Sequence, residues 1–430
     1  MNIQLLMTGN ELMTGVTQDS NSTYIAEKLT EMGLSIHRIQ TVGDNLDLLV
    51  NEIIRLSMES DILIINGGLG PTRDDLTAEA LALASSQPLQ YHARALKEVE
   101  AWCERRGIAM KEANRKQAYL PASAEILCNL RGSAPGIYLL LNNCRIFCTP
   151  GVPGEMKQML ADEVFPRITE MINTTPVEIR RFHLFGIGES ALEQLFSENI
   201  KHWPNNVDLG YRAGAPTLEI KLTINRPEDK IKRDELEAQI LNLTGDMIVA
   251  EGEQKMVESL VALLAKKQLK IATAESCTGG LIASMLTEVA GASAVFEAGI
   301  VSYSNRIKHE LLDVDEILLE KYGAVSREVV LAMANGILQK SKADLVLAVS
   351  GIAGPDGGTV EKPVGTVWIA WGDKNRLEAR ELVFNYGRKM FQLMVSATAL
   401  DLIRRRVLGI ESEPRYFNER SPKKTSTAKP

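Results

Sequence analysis

Two regular patterns of apolar and polar residues alternate along the first 170 residues of this 430-residue chain. Short continuous apolar runs predict buried strands, and apolar residues that recur every three or four positions predict helices. The predicted strands are 3–7, 35–42, 61–65, 136–142 and 144–148, the last two as a hairpin. The predicted helices are one through Tyr24 and Leu29 and those at 46–58, 76–84, 95–105 and 152–172. Strands that alternate with helices imply a largely parallel sheet.

The pattern changes twice further along the chain. Residues 173–250 predict a small α+β domain with strands at 177–185 and 218–225 and helices at 189–199 and 235–243. Residues 253–408 return to alternation and predict a second α/β domain. Its predicted strands are 270–274, 297–303, 345–349, 366–371 and 377–384, and its predicted helices are 255–267, 279–289, 326–339 and 389–406. The polar residues 411–430 predict a disordered tail. We therefore expect an α/β protein with domains at 1–172, 173–250 and 253–408.

Composition narrows the class of protein. The length exceeds that of one ordinary hydrophobic core, and 45% hydrophobic with 24% charged residues is typical of globular proteins. The net charge is −7 and no run of basic residues occurs outside the tail, so we expect no nucleic-acid partner. No apolar stretch approaches the roughly 18 residues of a membrane span, and residues 1–9 lack the basic start of a signal peptide. Five scattered cysteines suggest neither disulfides nor a zinc site, so we expect a cytoplasmic protein.

Two loops of the form Gly-x-x-Gly-Pro follow apolar strands in distant parts of the chain. The first is Asn-Gly-Gly-Leu-Gly-Pro-Thr-Arg-Asp-Asp at 66–75, and the second is Ser-Gly-Ile-Ala-Gly-Pro-Asp-Gly-Gly at 350–358. Open α/β sheets bind ligands at such turns, because glycine lets backbone N–H groups approach a phosphate or a carbonyl closely. The two loops predict two ligand sites in two domains.

The first loop ends in two adjacent carboxylates, Asp74 and Asp75. Neighbouring acids are costly without a cation, and a divalent metal or a diphosphate–metal complex would supply the positive charge. Thr72 can cap the helix that follows, whose amino end attracts phosphate. A plainer interpretation is that both acids only favour the dipole of that helix. Segments 8–12 and 149–155 also follow strands, and we expect them at the same sheet edge.

Hydroxyl and basic side chains accompany the second loop instead of paired acids. The strand at 270–274 ends in Glu-Ser-Cys-Thr-Gly-Gly, which predicts that Ser276 lies exposed on a strand-to-helix turn. Ser293 is a second candidate nucleophile, and Cys277 is a rival to Ser276. Tyr303 and Lys308 are five residues apart across a strand end and one helical turn, so both can face one cleft.

These residue types favour a serine–lysine set over a Ser–His–Asp triad. His309 is the one histidine of this domain and would point away from Lys308. As a base near pH 7, Lys308 needs a pKa about 3 units below its ordinary ~10.4, which burial would provide. The alternative interpretation is that Lys308 is a solvated helix residue and that Tyr303 only packs at the rim of the cleft. Arg388 is either a phosphate clamp at a helix start or a surface charge.

Residues 1–170 resemble the molybdopterin-binding-type domain shared by molybdenum-cofactor enzymes and the competence-damage-inducible (CinA) family. The motifs are Gly-Gly-Leu-Gly-Pro-Thr-Arg-Asp-Asp-Leu-Thr at 67–77, Gly-Asn-Glu-Leu at 9–12 and Pro-Gly-Val-Pro-Gly-Glu-Met at 150–156. The resemblance implies a three-layer fold and either metal-dependent hydrolysis of ADP-ribose to ribose 5-phosphate and AMP, or a non-catalytic pterin-binding module. For hydrolysis it implies that metal or water is handled by Glu11, Asp74 and Asp75, and the diphosphate by Gly67, Gly68, Gly70 and Thr72.

Residues 253–408 closely resemble the C-terminal CinA domain, the nicotinamide-mononucleotide amidohydrolase. The motifs are Thr-Ala-Glu-Ser-Cys-Thr-Gly-Gly at 273–280, Tyr-Ser-Asn at 303–305 with Lys308, Gly-Ala-Val-Ser at 323–326, and the glycine loop through Lys-Pro-Val-Gly-Thr-Val at 362–367. The resemblance implies release of ammonia from nicotinamide mononucleotide without a cofactor, by a serine (276 or 293), Tyr303 and Lys308. Implied substrate contacts are Cys277, Thr278, Gly279, Gly351, Gly354, Thr366 and Arg388. Both substrates arise from NAD breakdown, which implies pyridine-nucleotide recycling, and the resemblance also implies a homodimer.

Overall fold

A computed structural model of the chain describes residues 1–172 and 177–422, which divide into two compact units at residue 178. The strands of the first unit are β1 (Ile3–Thr8), β2 (Ile36–Val42), β3 (Ile62–Asn66), β4 (Leu89–Tyr91), β5 (Tyr119–Pro121), β6 (Glu125–Leu127), β7 (Gly136–Leu141) and β8 (Cys144–Thr149). Its α-helices are α1 (Asn10–Met13), α2 (Asn21–Glu31), α3 (Leu46–Glu59), α4 (Thr77–Ala84), α5 (Ala93–Arg106), α6 (Glu112–Arg115), α7 (Pro153–Met159) and α8 (Phe165–Thr169).

Six of these strands form one sheet in the order β2-β1-β3-β8-β7-β6. Neighbours among β2, β1, β3 and β8 are parallel, while β7 is antiparallel to both β8 and β6. Every residue of β1 and β3 is buried, as their continuous apolar runs predict for strands covered on both faces. Alternate side chains enter two separate cores, with Leu63 and Ile65 on one face and Ile62 and Ile64 on the other. The three-layer α/β fold is therefore confirmed for this unit.

The hairpin of β7 and β8 follows from its turn residues. Asn142 and Asn143 both adopt positive φ, 53° and 64°. Two such residues make the tight turn whose twist matches that of an antiparallel pair, and asparagine tolerates this conformation better than other side chains do. The turn reverses the chain, so that β8 runs parallel to β3 and ends at the same sheet edge.

The second unit contains two sheets. Its strands are β9 (Glu178–Leu184), β10 (Asp208–Ala213), β11 (Leu218–Ile224), β12 (Ile248–Glu251), β13 (Ile271–Glu275), β14 (Phe296–Val301), β15 (Leu345–Gly351), β16 (Thr366–Asp373) and β17 (Leu377–Val383). Its α-helices are α9 (Glu189–Asn199), α10 (Lys230–Thr244), α11 (Met256–Lys267), α12 (Leu281–Thr287), α13 (Asn305–Leu312), α14 (Glu316–Tyr322), α15 (Arg327–Ser341), α16 (Arg388–Leu408) and α17 (Arg415–Arg420). The smaller sheet has the order β10-β11-β9-β12, of which sequence patterning predicted only β9 and β11.

The larger sheet of this unit has the order β14-β13-β15-β16-β17. β13 is parallel to β14 and to β15, while β16 and β17 are antiparallel to their neighbours. Buried clusters lie on both faces, one with α11, α12 and α16 and the other with α13 and α15. The carboxyl ends of β13, β14 and β15 and the start of β16 therefore meet at one edge.

The prediction of a disordered tail from residue 411 is wrong for residues 411–422. Residues 415–420 form α17, in which Tyr416 and Phe417 are buried in the core beside Phe185. The Tyr416 hydroxyl donates a 2.8 Å hydrogen bond to Asp401 of α16. Two aromatic side chains therefore order a segment whose composition is otherwise polar. Residues 423–430 lie outside the described part of the chain, and no helix within that part is long and apolar enough to cross a membrane.

Candidate functional sites

In the first unit, a cleft of about 480 Å³ lies at the carboxyl edge of the parallel strands. Because β1, β3 and β8 are parallel, the segments that follow them converge there, as the sequence predicted. Six of the predicted site residues line the cleft: Glu11, Gly67, Gly68, Gly70, Asp74 and Asp75. Thr72 lies beside it and contacts the two aspartates.

Gly67 brings the loop directly against the end of β1. Its φ is 113°, and a Cβ there would lie 2.5 Å from both the carbonyl and the hydroxyl oxygen of Thr8. The Gly67 N–H donates to the carbonyl of Thr149 at 2.9 Å. The N–H of Thr72 is also engaged, with Asp75 Oδ2 at 2.8 Å. These two backbone N–H groups are therefore engaged within the protein, whereas the resemblance implied that Gly67 and Thr72 would hold the diphosphate.

Asn66, at the last position of β3, joins the three segments and was not predicted as a site residue. Its side-chain amide donates to Thr149 Oγ1 at 3.0 Å and to the carbonyl of Pro150 at 2.8 Å. Its side-chain oxygen Oδ1 accepts from the side-chain amide of Asn21 at 2.9 Å, and that amide also donates to the backbone carbonyl of Gly151. The signal in the sequence that could have identified Asn66 is an asparagine at the end of an apolar run.

Thr72 and Lys116 tie the acidic end of the loop together. The Thr72 hydroxyl lies 2.6 Å from Asp75 Oδ2 and also contacts Asp74, and this contact lowers the pKa of Asp74. Lys116 Nζ donates to the carbonyls of Thr72 and Asp75, at 2.5 and 2.7 Å, and its charge lowers the pKa of Asp74 further. The two carboxylates are thus fixed in the loop before α4 begins at Thr77.

A fourth carboxylate, Asp44, enters the cleft after β2 and was missed in the sequence. It accepts a 2.9 Å hydrogen bond from the backbone N–H of Asn10. Burial raises the pKa of Asp44, and the nearby charges of Glu11, Asp74 and Asp75 raise it further. Together with Glu155, five acids line this cleft, and their mutual repulsion favours an added positive charge.

This donor set fits a metal only in part. Within residues 1–172 and 177–422, no three His, Cys, Asp or Glu side chains lie close enough together to form a metal-ligand group. Magnesium is often held by one or two carboxylates together with substrate phosphates and water, rather than by a cage of protein ligands. The cleft therefore suits a hard cation that arrives with a phosphate-bearing ligand, with its oxygens completing the coordination.

In the second unit, the structure brings Ser276 and Lys308 together at the edge where β13 and β14 end. Lys308 is 1% exposed, Ser276 is 8% exposed, and Lys308 Nζ lies 3.0 Å from Ser276 Oγ. The Ser304 hydroxyl caps α13 by accepting from the N–H of Ile307. This cap starts α13 directly after the strand, so that its first turn directs Lys308 inward.

The amine of Lys308 has three partners. Besides Ser276, Nζ lies 2.7 Å from the carbonyl of Ser302 and 3.2 Å from that of Tyr303. Burial lowers the pKa of Lys308 from 10.5 to about 8. In the neutral amine, two N–H groups satisfy the two carbonyls, and the lone pair accepts the hydroxyl proton of Ser276. This arrangement would allow a lysine to act as general base toward a serine nucleophile.

Glu275, just before Ser276, holds the turn and was not predicted. Its buried carboxylate accepts backbone N–H groups of Gly280 and Ile282, both at 3.0 Å, and of Ala283 at 2.8 Å. The Thr278 hydroxyl donates to the same carboxylate at 2.7 Å. Thr278 therefore braces the turn through Glu275, while sequence reasoning had placed it against the substrate.

Arg388, at the start of α16, bridges the exposed side of this site. It donates to the carbonyl of Gly354 at 2.8 Å and to the hydroxyl of Tyr303 at 3.0 Å. Tyr303 is 60% exposed. Its hydroxyl therefore lies at the mouth with Arg388, while its backbone carbonyl contacts Lys308. Gly351 and Thr366 lie deeper, where the carbonyl of Thr366 accepts the N–H of Ile352 at 2.8 Å.

Two of the predicted nucleophiles are not placed to react. Ser293 is exposed in a 3₁₀ turn just before β14, so it lies at the amino edge of the sheet, opposite Ser276. Cys277 is buried in the apolar core, and this burial raises its pKa to about 12. Gly279 is exposed on the turn beside Ser276. Within the chain, Ser276 is the candidate nucleophile that lies beside Lys308.

Two family models match separate parts of the chain. Residues 4–170 match the family model of a probable molybdopterin binding domain, and residues 253–407 match that of the CinA C-terminal domain. A CinA-like protein of Colwellia psychrerythraea is 49% identical over 97% of this chain and 98% of its own length. A putative competence-damage inducible protein of Caldicellulosiruptor bescii is 36% identical over 94% and 99%. The crystal structure of a competence/damage inducible protein from Agrobacterium tumefaciens is 42% identical over 35% of this chain and 95% of that one, with a TM-score of 0.34.

Fold and sites define a protein of two α/β units, each with a candidate ligand site where parallel strands end. The alignments with the Colwellia psychrerythraea and Caldicellulosiruptor bescii proteins cover nearly the whole of both sequences. The chain belongs to the CinA family.

Proposed function

We propose that the second unit hydrolyses the carboxamide of nicotinamide mononucleotide to nicotinate mononucleotide and ammonia. The observation that carries this proposal is the 3.0 Å contact between Lys308 Nζ and Ser276 Oγ in a buried site. Amide hydrolysis needs a hydroxyl nucleophile and a base that is partly neutral near pH 7–8, and a lysine with a pKa of about 8 meets that need.

The bonds and protons balance as follows in the proposed reaction. Neutral Lys308 accepts the proton of Ser276 as Oγ attacks the carboxamide carbon. The Lys308 ammonium then returns that proton to the leaving nitrogen, which departs as ammonia and leaves an ester on Ser276. A water molecule attacks the ester with Lys308 again as base, releasing the carboxylate and restoring the serine. The sum is one amide and one water converted to one acid and one ammonia.

Arg388 would bind the phosphate of this substrate. It is the cation at the mouth of the site, and its guanidinium is already positioned by Gly354 and Tyr303. Arginine forms paired hydrogen bonds with phosphate oxygens. Tyr303 then acts at the entrance, in contact with the substrate or with Arg388, and takes no part in moving the proton between Ser276 and Lys308.

The test is ammonia release from nicotinamide mononucleotide by the full chain in the presence of a chelator. We expect activity in the wild type and its loss in Ser276→Ala, with the circular dichroism spectrum unchanged. Ser293→Ala is the matched control and should retain full activity. No ammonia from the wild type would refute the proposal, and loss of activity in Ser293→Ala alone would exclude Ser276 as the nucleophile.

For the first unit we propose metal-dependent hydrolysis of ADP-ribose to AMP and ribose 5-phosphate. The supporting observation is the group of five carboxylates that line one cleft beside the glycine loop: Glu11, Asp44, Asp74, Asp75 and Glu155. A divalent metal bound there would withdraw charge from the diphosphate oxygens. Thr72 and Lys116 fix Asp74 and Asp75 in the loop, and any carboxylate not bound to metal is placed to accept a proton from water.

This second activity is tested by AMP release with and without magnesium or manganese. We expect metal-dependent release that is lost in Asp75→Asn and retained in Asp162→Asn, which removes an exposed acid of the same unit. The alternative is a non-catalytic binding module for a molybdopterin-type ligand. It predicts no AMP release with any metal, together with retention of a fluorescent pterin by the purified protein.

Both proposed substrates contain parts of NAD, so we propose that the protein acts in the recycling of pyridine nucleotides. We also propose that it is a homodimer and that it acts in the cytoplasm. Light scattering measures the mass of the full chain in solution. The mass of a monomer at micromolar concentration would contradict the proposed homodimer.

A further inference from the structure

A second, smaller cavity of about 60 Å³ adjoins the cleft of the first unit. The two share Gly68, Leu69, Gly70, Asp75 and Gln117. Seven residues line only the smaller cavity, namely five that are largely apolar, Ala78, Leu89, Tyr119, Leu120 and Pro135, and the charged Glu79 and Lys116. We call this smaller cavity the annex. A single ligand that entered both spaces would place charged groups near the acids and a flat apolar part against the annex.

Gln117 lies between the two spaces with one polar atom unpaired. Its side chain is 5% exposed, and its amide nitrogen donates to the carbonyl of Leu69 at 3.3 Å and to Ser133 Oγ at 3.2 Å. A backbone carbonyl only accepts, so the nitrogen must face Leu69, which sets the orientation of the carboxamide. The remaining oxygen, Oε1, is buried and has no hydrogen-bond partner in the described part of the chain.

A buried carbonyl oxygen without a donor is unfavourable, so its neighbourhood favours a ligand that brings one. The annex is too small for a whole purine or pterin ring, but it accommodates one edge of such a ring. Leu69 and Leu120, both buried, offer apolar contact to that edge. A donor suited to the unpaired oxygen of Gln117 is an exocyclic amino group of a planar heteroaromatic ring.

We propose that Gln117 is a specificity-determining residue, whose Oε1 accepts a hydrogen bond from the amino edge of a purine or pterin ring held at the annex. The proposal rests on the proposed function in one respect, that the main cleft receives the phosphate-bearing part of the same ligand. Adenine and pterin both carry such an amino group, and the two sources are distinguished by the choice of probes.

The experiment measures binding to the full chain by calorimetry, with magnesium present, in two matched pairs of probes. ADP is compared with IDP, and pterin with lumazine, since each second member has an oxo group in place of the amino group. We expect the amino member of one pair to bind at least about tenfold more tightly, because the oxo member leaves Oε1 unpaired against another acceptor. The pair that shows the preference identifies the source of the ring.

Gln117→Met should abolish the preference by weakening only the amino member. Gln158→Met on α7 should behave as the wild type. Equal affinities within both pairs, a preference that persists in Gln117→Met, or no binding of any probe would each overturn the proposal.

Turnover of ADP-ribose, measured on the same preparations, separates this inference from the proposed function. A preference for ADP over IDP without any turnover supports the role of Gln117 and refutes the hydrolase. Turnover with equal affinities for ADP and IDP does the reverse.

Discussion

Replacement of Lys308 by methionine tests whether burial has made this lysine a base. The side chain is 1% exposed and its pKa falls from 10.5 to about 8 because burial disfavours the ammonium. In the wild type, the rate of ammonia release should follow the neutral fraction of Lys308, which rises from about one tenth at pH 7 to one half at pH 8. The rate therefore increases about fivefold over this unit of pH. Lys308→Met should show no activity at any pH.

The lowered pKa of Lys308 also predicts how the free energy of unfolding changes with pH. The folded state binds fewer protons than the unfolded state between pH 8 and 10.5, so the wild type gains stability as the pH rises through this window. Lowering the pKa of Lys308 from 10.5 to about 8 corresponds to a cost of about 3 kcal/mol. The cost is fully present below pH 8 and is relieved by pH 10.5. Lys308→Met lacks it, so below pH 8 the variant should be the more stable protein.

The assays are ammonia release from pH 6 to 9.5 and denaturant unfolding of both proteins at pH 7 and 10. The difference in unfolding free energy between variant and wild type should shrink by about 2–3 kcal/mol from pH 7 to pH 10. A wild-type rate that is constant from pH 6.5 to 9, or a stability difference that does not change with pH, would refute the reasoning.

Four further changes test other contacts. Glu275→Gln places an amide where backbone N–H groups require an acceptor. We expect denaturant unfolding to show a loss of about 2–3 kcal/mol in stability, and the ammonia assay to show a rate at least about tenfold lower. An unchanged unfolding curve would contradict this prediction. Asn66→Ala separates β3 from the segment after β8, and AMP release should fall while ammonia release does not; equal loss of both activities would show a general folding defect. Tyr416→Phe removes a donor to the buried Asp401 and should lower the unfolding free energy by about 1–3 kcal/mol, whereas no change would mean that α17 adds nothing to stability. Asp44→Asn relieves repulsion among the cleft acids, so we expect a higher Tm in a chelator and a lower metal-dependent rate, and a lower Tm would contradict the repulsion.

The strands that sequence patterning predicted are those with strong local signals. β1, β3 and β15 are continuous apolar runs, and the structure buries nearly every residue of each. The strand β10, Asp-Leu-Gly-Tyr-Arg-Ala, was missed because its residues are largely polar or small and it lies at a sheet edge, with one neighbouring strand. Its place in the sheet comes from pairing with β11.

The candidate site residues show the same contrast between strong local signals and contacts with distant segments. Asp74 and Asp75 were found because they are adjacent in a recognisable loop. Asp44 and Gln117 were missed because each reaches the cleft from a segment distant in the sequence, with no motif around it. Tyr416 was missed because two aromatic residues in a polar segment give no periodicity, and their partners lie on other elements of the second unit.

The sequence by itself determined the elements with strong local patterns, the two glycine loops and the chemical types of side chain beside each loop, since these depend on neighbours a few residues apart. Only the tertiary structure shows that Ser276, and not Ser293, lies beside Lys308. Because β13 and β14 are parallel, the residues after both strands share one edge, and those before β14 lie at the other. That geometry places Lys308 beside Ser276, and the burial it imposes lowers the lysine pKa, a property that neither residue has alone.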